Sequence, residues 1–439
     1  MNDRLSAQYW LHEKELTAYS SEAVRDRRRS AMERFEAVGF PTVRDEDWKY
    51  SSLKPVLAPH YGLRPPCAPL EDEHLEYKDI KRFLVNELDS YRVVFLNGRY
   101  SSWLSDTTHR GFDVCTLSSA WKKYPETIDR YFAQLTENLG PLAQLNTALA
   151  WDGLYVVVPD NVVVDRPIQV LSFTTGTEPL ATQIRNLVVL GVNAQAEIIE
   201  RHQSLSDHPT WTNAVDEAYL AAGAQLRWVK LQHDAPEASL TQHTRIQQAR
   251  DSRAQVNTIS TGGRFIRNNL DFVLQEPGAD ARMLGLTLAK GKQLVDHHTL
   301  VDHQAAHCTS HENYKGIYDD GSKGVFNGRI YVHEDAQKTD AYQQNANLVL
   351  HERAEVNTKP QLEIFADDVK CSHGCTVGQL DEDALFYLRA RGIKEPEARA
   401  LLMLAFAEDA LAGIDHPSLN AKLHKLIAGK LGVDLTLDL

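Results

Sequence analysis

The sequence predicts a mostly β protein: a parallel β-helix core, a solenoid of stacked coils, flanked by N-terminal and C-terminal helical regions. Three observations carry this. The chain has 439 residues, more than one compact core usually holds. Short apolar and β-branched runs follow one another from residue 154 with no helical period between them. A turn residue and an alanine recur at Asn193-Ala194, Gly223-Ala224, Arg253-Ala254, Gly278-Ala279, Ala305-Ala306, Asp335-Ala336 and Arg353-Ala354, most neighbours lying 25 to 30 residues apart. A period of that length, with short strands in each unit, marks coils that stack because none can bury its own apolar face alone. A two-sheet sandwich is the competing arrangement, and over roughly 200 residues of strand is long for one.

The elements follow in order. Residues 1 to 40 place Tyr9, Trp10, Leu16, Met32, Phe35 and Val38 at helical spacing, and Gly39 and Pro41 end the pattern. Tyr91 to Gly98 reads as a strand running into a turn, and Ile128 to Ala150 as a helix. These make residues 1–150 an N-terminal helical and mixed region. The runs at 155–158, 162–164, 167–171, 187–191 and 196–200 read as strands and open a β-helix core over 151–377. From 378 to 439 the helical period returns. Asp381 can cap a helix carrying Leu385, Phe386 and Leu388 that Gly392 closes. Pro396 suits the first turn of a second helix with Leu401, Leu402, Leu404, Phe406, Leu411 and Ile414, and a third follows His416-Pro417. Such a region is expected to cap the solenoid, whose end coil would otherwise expose strand edges. The run LLMLAFA at 401–407 is wider than one core-facing stripe needs. It is either buried on both sides within the chain or a docking surface for another protein.

Composition excludes several functions. Lys+Arg 47 against Asp+Glu 60 gives a net charge of −13, a field that repels phosphate backbones, so nucleic acid is not the expected partner. The first residues have no apolar core of a signal peptide, and no stretch approaches 18 consecutive apolar residues. The expectation is a cytoplasmic protein with no membrane span. Five cysteines (Cys67, Cys115, Cys308, Cys371, Cys375) are too few and too scattered for a secreted disulfide framework and are expected as free thiols. The chain contains no GxxxxGK[ST] phosphate loop, GxSxG elbow or HExxH helix. Nothing in it reads as a self-sufficient enzyme.

Two constellations could carry metal chemistry. Five of the 18 histidines, His297, His298, His303, His307 and His311, fall within fifteen residues. On a helix, His303, His307 and His311 would share a face and could serve a metal-dependent enzyme. On a strand, His297 and His303 point one way and His298 the other, as solvated residues or ladders between coils. The second constellation is Asp367 to Cys375. Strand periodicity there puts Cys371, His373 and Cys375 on one face, successive side chains about 7 Å apart. Two thiolates and an imidazole suit iron, zinc or part of an iron–sulfur cluster, and three ligands with an open position describe a shared or transient site. A buried cysteine beside a turn glycine, with His373 bonded to backbone, is the plain alternative.

The phrases KGVFNGRI at 323–330, AQKTDAYQ at 336–343, AEVNTKPQLEI at 354–364, DDVKCSHG at 367–374 and LFYLRARG at 385–392, with GFPTVRDEDWKY at 39–50, closely resemble the SufB/SufD family of iron–sulfur cluster assembly proteins. CSHG at 371–374 resembles the SufD branch, and Asn345 stands where SufB carries its scaffold cysteine; Cys375 departs from the small residue usual in SufD. The resemblance implies a right-handed β-helix and a non-catalytic subunit working with SufB and two copies of the ABC-type ATPase SufC, docked on the C-terminal helices. It also implies that ATP-driven distortion opens the SufB–SufD interface, where iron or a nascent cluster meets Cys371 and His373. Reduced flavin (FADH2) bound by the complex and a SufD homodimer belong to the same implied picture.

Overall fold

A computed structural model describes residues 1–62, 75–85, 87–108 and 111–431; Cys67 lies outside them. Two mainly parallel sheets, one of ten strands and one of nine, run side by side through the molecule; each begins with one antiparallel pair (Tyr91–Leu96 with Arg99–Tyr100, and Asp113–Thr116 with Leu154–Val158), and from Leu154–Val158 onward consecutive strands of the chain alternate between them. That alternation is what separates a solenoid from a sandwich: each coil gives one strand to each sheet, and each strand pairs with the strand one coil later. The pairing offset runs from 26 residues (Ser239 with Phe265) to 32 (Lys323 with Glu355), which is the length of one coil. The expected β-helix is therefore present.

The corners explain the repeat better than the alanines do. Asn161, Asn193, Gly223, Asp251, Gly278, His307 and Lys338 all have positive φ and stack as one column along the solenoid. Each is followed by a residue turned inward, and Ala194, Ala224, Ser252, Ala279 and Cys308 there are all fully buried. Asn, Asp and Gly tolerate this left-handed conformation at least cost. At Gly278 a Cβ would also come within 2.1 Å of Asp251 Oδ1. Three of the seven alanine phrases, at 193, 223 and 278, belong to this corner. Ala305-Ala306 runs directly into the His307 corner, Ala254 lies within the strand Arg253–Ser260, and the remaining two stand at other turns.

Inward residues of both sheets form the main apolar core, with Val156, Ile198, Trp228, Val256 and Phe272 among them. The outer faces are covered from opposite sides. Helices Asn2–Leu16, Glu22–Val38 and Pro141–Leu149 lie over Trp211 and Phe265 of the nine-stranded sheet. Met403, Leu419, Leu423 and Ile427 of the C-terminal helices lie over Val229, Leu231, Ile259, Leu286 and Ile317 of the ten-stranded sheet, each large side chain contributing roughly 1.5–3 kcal/mol.

Several expectations are corrected. The helix expected over Ile128 to Ala150 is two helices, Pro125–Tyr131 and Pro141–Leu149. Between them Ala133 takes positive φ, and the solenoid's Glu217 accepts the N–H groups of Ala133 and Leu135 at 2.8 and 2.9 Å. Residues 162–164 follow a corner and make only an isolated bridge, Val163 to Gln195. The strand expected at Tyr91 to Gly98 is present as Tyr91–Leu96, and it and Asp113–Thr116 join the two sheets ahead of residue 150. The second C-terminal helix is Glu395–Glu408; Leu411 and Ile414 lie beyond it but still pack on the sheet. Most of LLMLAFA is spent on that same packing, and the exposed apolar residues are Phe386 and Tyr387 on the preceding helix, Glu382–Ala390. The C-terminal helices thus cover the flank of the solenoid and leave its end open.

Candidate functional site

The open end is the last coil, made of strands Glu355–Ile364 and Lys370–Gly378. Each is the edge strand of its sheet, and nearly every residue of the second is exposed. No β-bulge or proline interrupts Lys370–Gly378, so its outer backbone groups form an intact, unpaired edge.

All three sequence-predicted site residues stand on this strand. In register they follow Ala341 (with Cys371), Gln343 (with His373) and Asn345 (with Cys375), which are inward-facing and buried. Cys371, His373 and Cys375 therefore continue the interior face of the solenoid at the point where no further coil covers it. Cys371 is half-buried and packs beside Ile330, Val332 and Ala341. Burial pushes its thiol above the ordinary value, and the Asp340 carboxylate adds to that. Cys375 is exposed, with Sγ 3.1 Å from Thr358 Oγ1 on the facing strand. His373, between the two, is itself exposed, so the approach to it is clear.

Alternate residues on a strand lie about 7 Å apart and the outer pair about 13 Å. One ion cannot take all three, and among the described residues no group of three His, Cys, Asp or Glu is gathered closely enough to hold a metal. Cys371 and His373 present a thiol and an imidazole on one face, too few on their own to complete a metal site.

The other histidines do not assemble. They lie on two strands, Leu294–His303 and Thr309–Asp319, and the turn between, so the helical face of His303, His307 and His311 does not form. His297 and His303 point inward and His298 outward, as strand periodicity predicts. His297 lies 3.0 Å from Thr287 Oγ1 and His303 lies 2.9 Å from Ser310 Oγ; burial lowers both to about 4, leaving neutral rings at pH 7. His298 pairs with Asp296 at 3.1 Å, His307 is a left-handed corner residue and His311 is exposed.

Two features under the site have no local sequence signal. One coil in from His373, Gln343 donates from Nε2 to Glu312 Oε2 at 2.7 Å, and burial raises the Glu312 carboxyl to about 7. Deeper in, Lys230 Nζ sits 2.8 Å from both Glu200 and Asp216. Burial opposes the Glu200 charge, but Lys230 and His202 hold its carboxyl well below the usual range. Charged residues at inward positions of apolar strands are the one clue to such a network; who meets whom depends on how the coils stack.

Comparison with known proteins agrees with this architecture. Residues 1–170 match the family model described as the SufBD protein N-terminal region. Residues 173–406 match that of the SUF system FeS cluster assembly, SufBD core domain. The chain is 32% identical over 416 residues to an iron–sulfur cluster assembly SufBD family protein of Synechocystis, covering 92% of this chain and 90% of that one. It is 31% identical over 438 residues to the iron–sulfur cluster assembly protein SufD of Escherichia coli, covering 98% of both.

Proposed function

The chain belongs to the SufBD family of SUF-system iron–sulfur cluster assembly proteins, and from that premise we propose that it is the SufD-like, non-catalytic scaffold subunit, paired with SufB through the open end of its solenoid. The single observation that carries the reading is the uncovered edge strand Lys370–Gly378, which presents Cys371 and His373 beside unpaired backbone groups. A partner solenoid adding its own edge strand would satisfy those groups and bring the missing ligands to the same place.

On this reading iron or a nascent cluster is cargo held between the two subunits. His373 binds through a neutral imidazole nitrogen. Cys371 is a protonated thiol until a cation displaces its proton, which makes capture sensitive to pH and to the order of arrival. Cys375, exposed and close to Thr358, is a supplementary ligand. The working compartment is the cytoplasm, where thiols stay reduced. Two copies of the ATPase SufC supply the motion that opens the interface, one of them seated against Phe386 and Tyr387. Reduced flavin is bound by the complex, with no residue of this chain assigned to it.

The test is copurification with SufB and SufC, then cluster formation by wild type and by His373→Ala. The expected result is an intact complex in which His373→Ala lowers cluster formation at least about tenfold, as loss of a metal ligand does. A complex that assembles and builds clusters at the full rate with His373→Ala would rule out the ligand role. A second copy of this chain is the competing occupant of the edge, and a homodimer that SufB cannot displace would point to it.

A further inference from the structure

Away from the open end, a cavity of about 540 Å³ lies where the turns after strands Gln195–Ser204 and Gln225–Gln232 meet the last C-terminal helix, Pro417–Leu431, and the segment around Phe83. Arg82, Arg201 and Lys422 all line it. Arg201 is almost fully buried, and its Nε has no hydrogen-bond partner. Its Nη2 donates to Gln203 Oε1 at 2.8 Å and reaches the His233 carbonyl at 3.4 Å, both neutral acceptors. Lys422 likewise donates to the backbone carbonyls of Arg82 and Leu84.

Asp207 and Asp234 line the same cavity, and the Asp234 carboxylate attracts Arg201, so two acids face three cations. Asp234 turns Oδ1 to the N–H groups of Ser204 and Ala235, and no carboxylate stands within ion-pair distance of Arg201 or Lys422 among the described residues. Burial lowers Lys422 to about 8, and repulsion from Arg201 adds to the shift. Cations so placed cost free energy unless an anion joins them. His233 and Asp234 also line an adjoining cavity of about 510 Å³ with Glu237, Arg264, Lys290, Lys292 and Lys430, where Arg264 pairs with Glu237 and Lys290 with Asp319. In a chain of net charge −13 this concentration of positive charge is a local feature.

The rest of the lining includes the apolar side chains of Phe83, Leu231, Ile259, Leu423 and Leu426, and the Arg201 guanidinium stands 4.9 Å from the Phe83 ring centroid. We infer that this cavity binds a small phosphate-bearing molecule with a flat apolar part, its phosphate on Arg201 and Lys422 and its ring against Phe83 and the leucines. Arginine offers phosphate a two-pronged contact and lysine a point charge. The assignment is independent of the function proposed above, because the site lies on the flank of the solenoid and shares no residue with the open end.

Titration calorimetry of the full chain with adenosine 5′-monophosphate, adenosine and inorganic phosphate tests it. The monophosphate is expected to bind more tightly than either fragment, and Lys422→Gln to weaken it at least about tenfold, the loss typical of one charge-assisted contact. Arg201→Lys, which keeps the charge and removes the fork, should weaken it as well. Lys422 is part-exposed, so its variant should fold even where an Arg201 variant does not, and an unchanged unfolding midpoint checks this. Absence of binding by the monophosphate at millimolar concentration overturns the site. Adenosine binding as well as the monophosphate overturns the anionic half, inorganic phosphate binding as well overturns the apolar half, and unaltered binding by Lys422→Gln overturns the placement.

Discussion

Gln343 and Glu312 meet across one coil of the solenoid, Gln343 Nε2 donating to Glu312 Oε2 at 2.7 Å, directly inward of His373. Both are fully buried, and Glu312 Oε1 and Gln343 Oε1 have no hydrogen-bond partner. The open end therefore stands on a polar layer, not a sealed apolar plug.

Glu312 makes stability depend on pH in a defined direction. Burial raises its carboxyl from the ordinary glutamate value of 4.5 to about 7, so the folded state holds a proton that the unfolded chain releases above 4.5. Its stabilising contribution is complete below about 4.5 and is lost as pH rises through 7, by at most about 3 kcal/mol. Glu312→Gln, which keeps an acceptor for Gln343, should be nearly neutral at pH 5 and more stable than wild type at pH 8. Urea midpoints measured at the two values check this; the same difference at both would show that Glu312 does not titrate in this range.

Glu217 latches the N-terminal region to the solenoid. It takes the N–H groups of Ala133 and Leu135 and pairs with Arg185 with both side chains fully buried. Removing one partner of a buried pair strands the other charge, so Glu217→Ala should cost about 3–5 kcal/mol. Arg185→Ala/Glu217→Ala together should cost less than the two single changes added. Additive losses in urea unfolding would show that the pair is not coupled.

The C-terminal helices cannot be removed to test docking, because they cover Val229, Leu231, Ile259 and Ile317, and truncation would expose that face. Phe386 is 73% exposed, so Phe386→Asp should shift stability by no more than about 0.5 kcal/mol. If the helix seats the ATPase, the same change should abolish SufC copurification. Full retention of SufC would place the seat on another surface.

Gly278→Ala tests the corner column. Gly278 has φ of +80, and the added Cβ would meet Asp251 Oδ1, so a loss of about 1–2 kcal/mol or more is expected. Gly374→Ala, with open space around it, should change stability far less in the same thermal scan. Equal effects would argue against the corner as the source of strain.

Periodicity and local spacing were enough to make the solenoid, the helical ends and the shared face of Cys371, His373 and Cys375 legible, because strand alternation is a property of neighbouring residues. Spacing alone could not decide whether His303, His307 and His311 shared a helical face; strand formation put them on different faces and a corner. Gly140-Pro141 signals the start of the helix Pro141–Leu149, but the left-handed turn at Ala133 has no local signal, because Glu217, distant in the chain, caps it. The use of LLMLAFA, the open end of the solenoid and the cation-lined cavity were equally beyond reach. Sequence by itself determined the coil and which residues point inward along it. Tertiary structure decided what each coil is laid against, because partners about thirty residues or more apart are chosen by stacking register and by which faces the terminal helices cover.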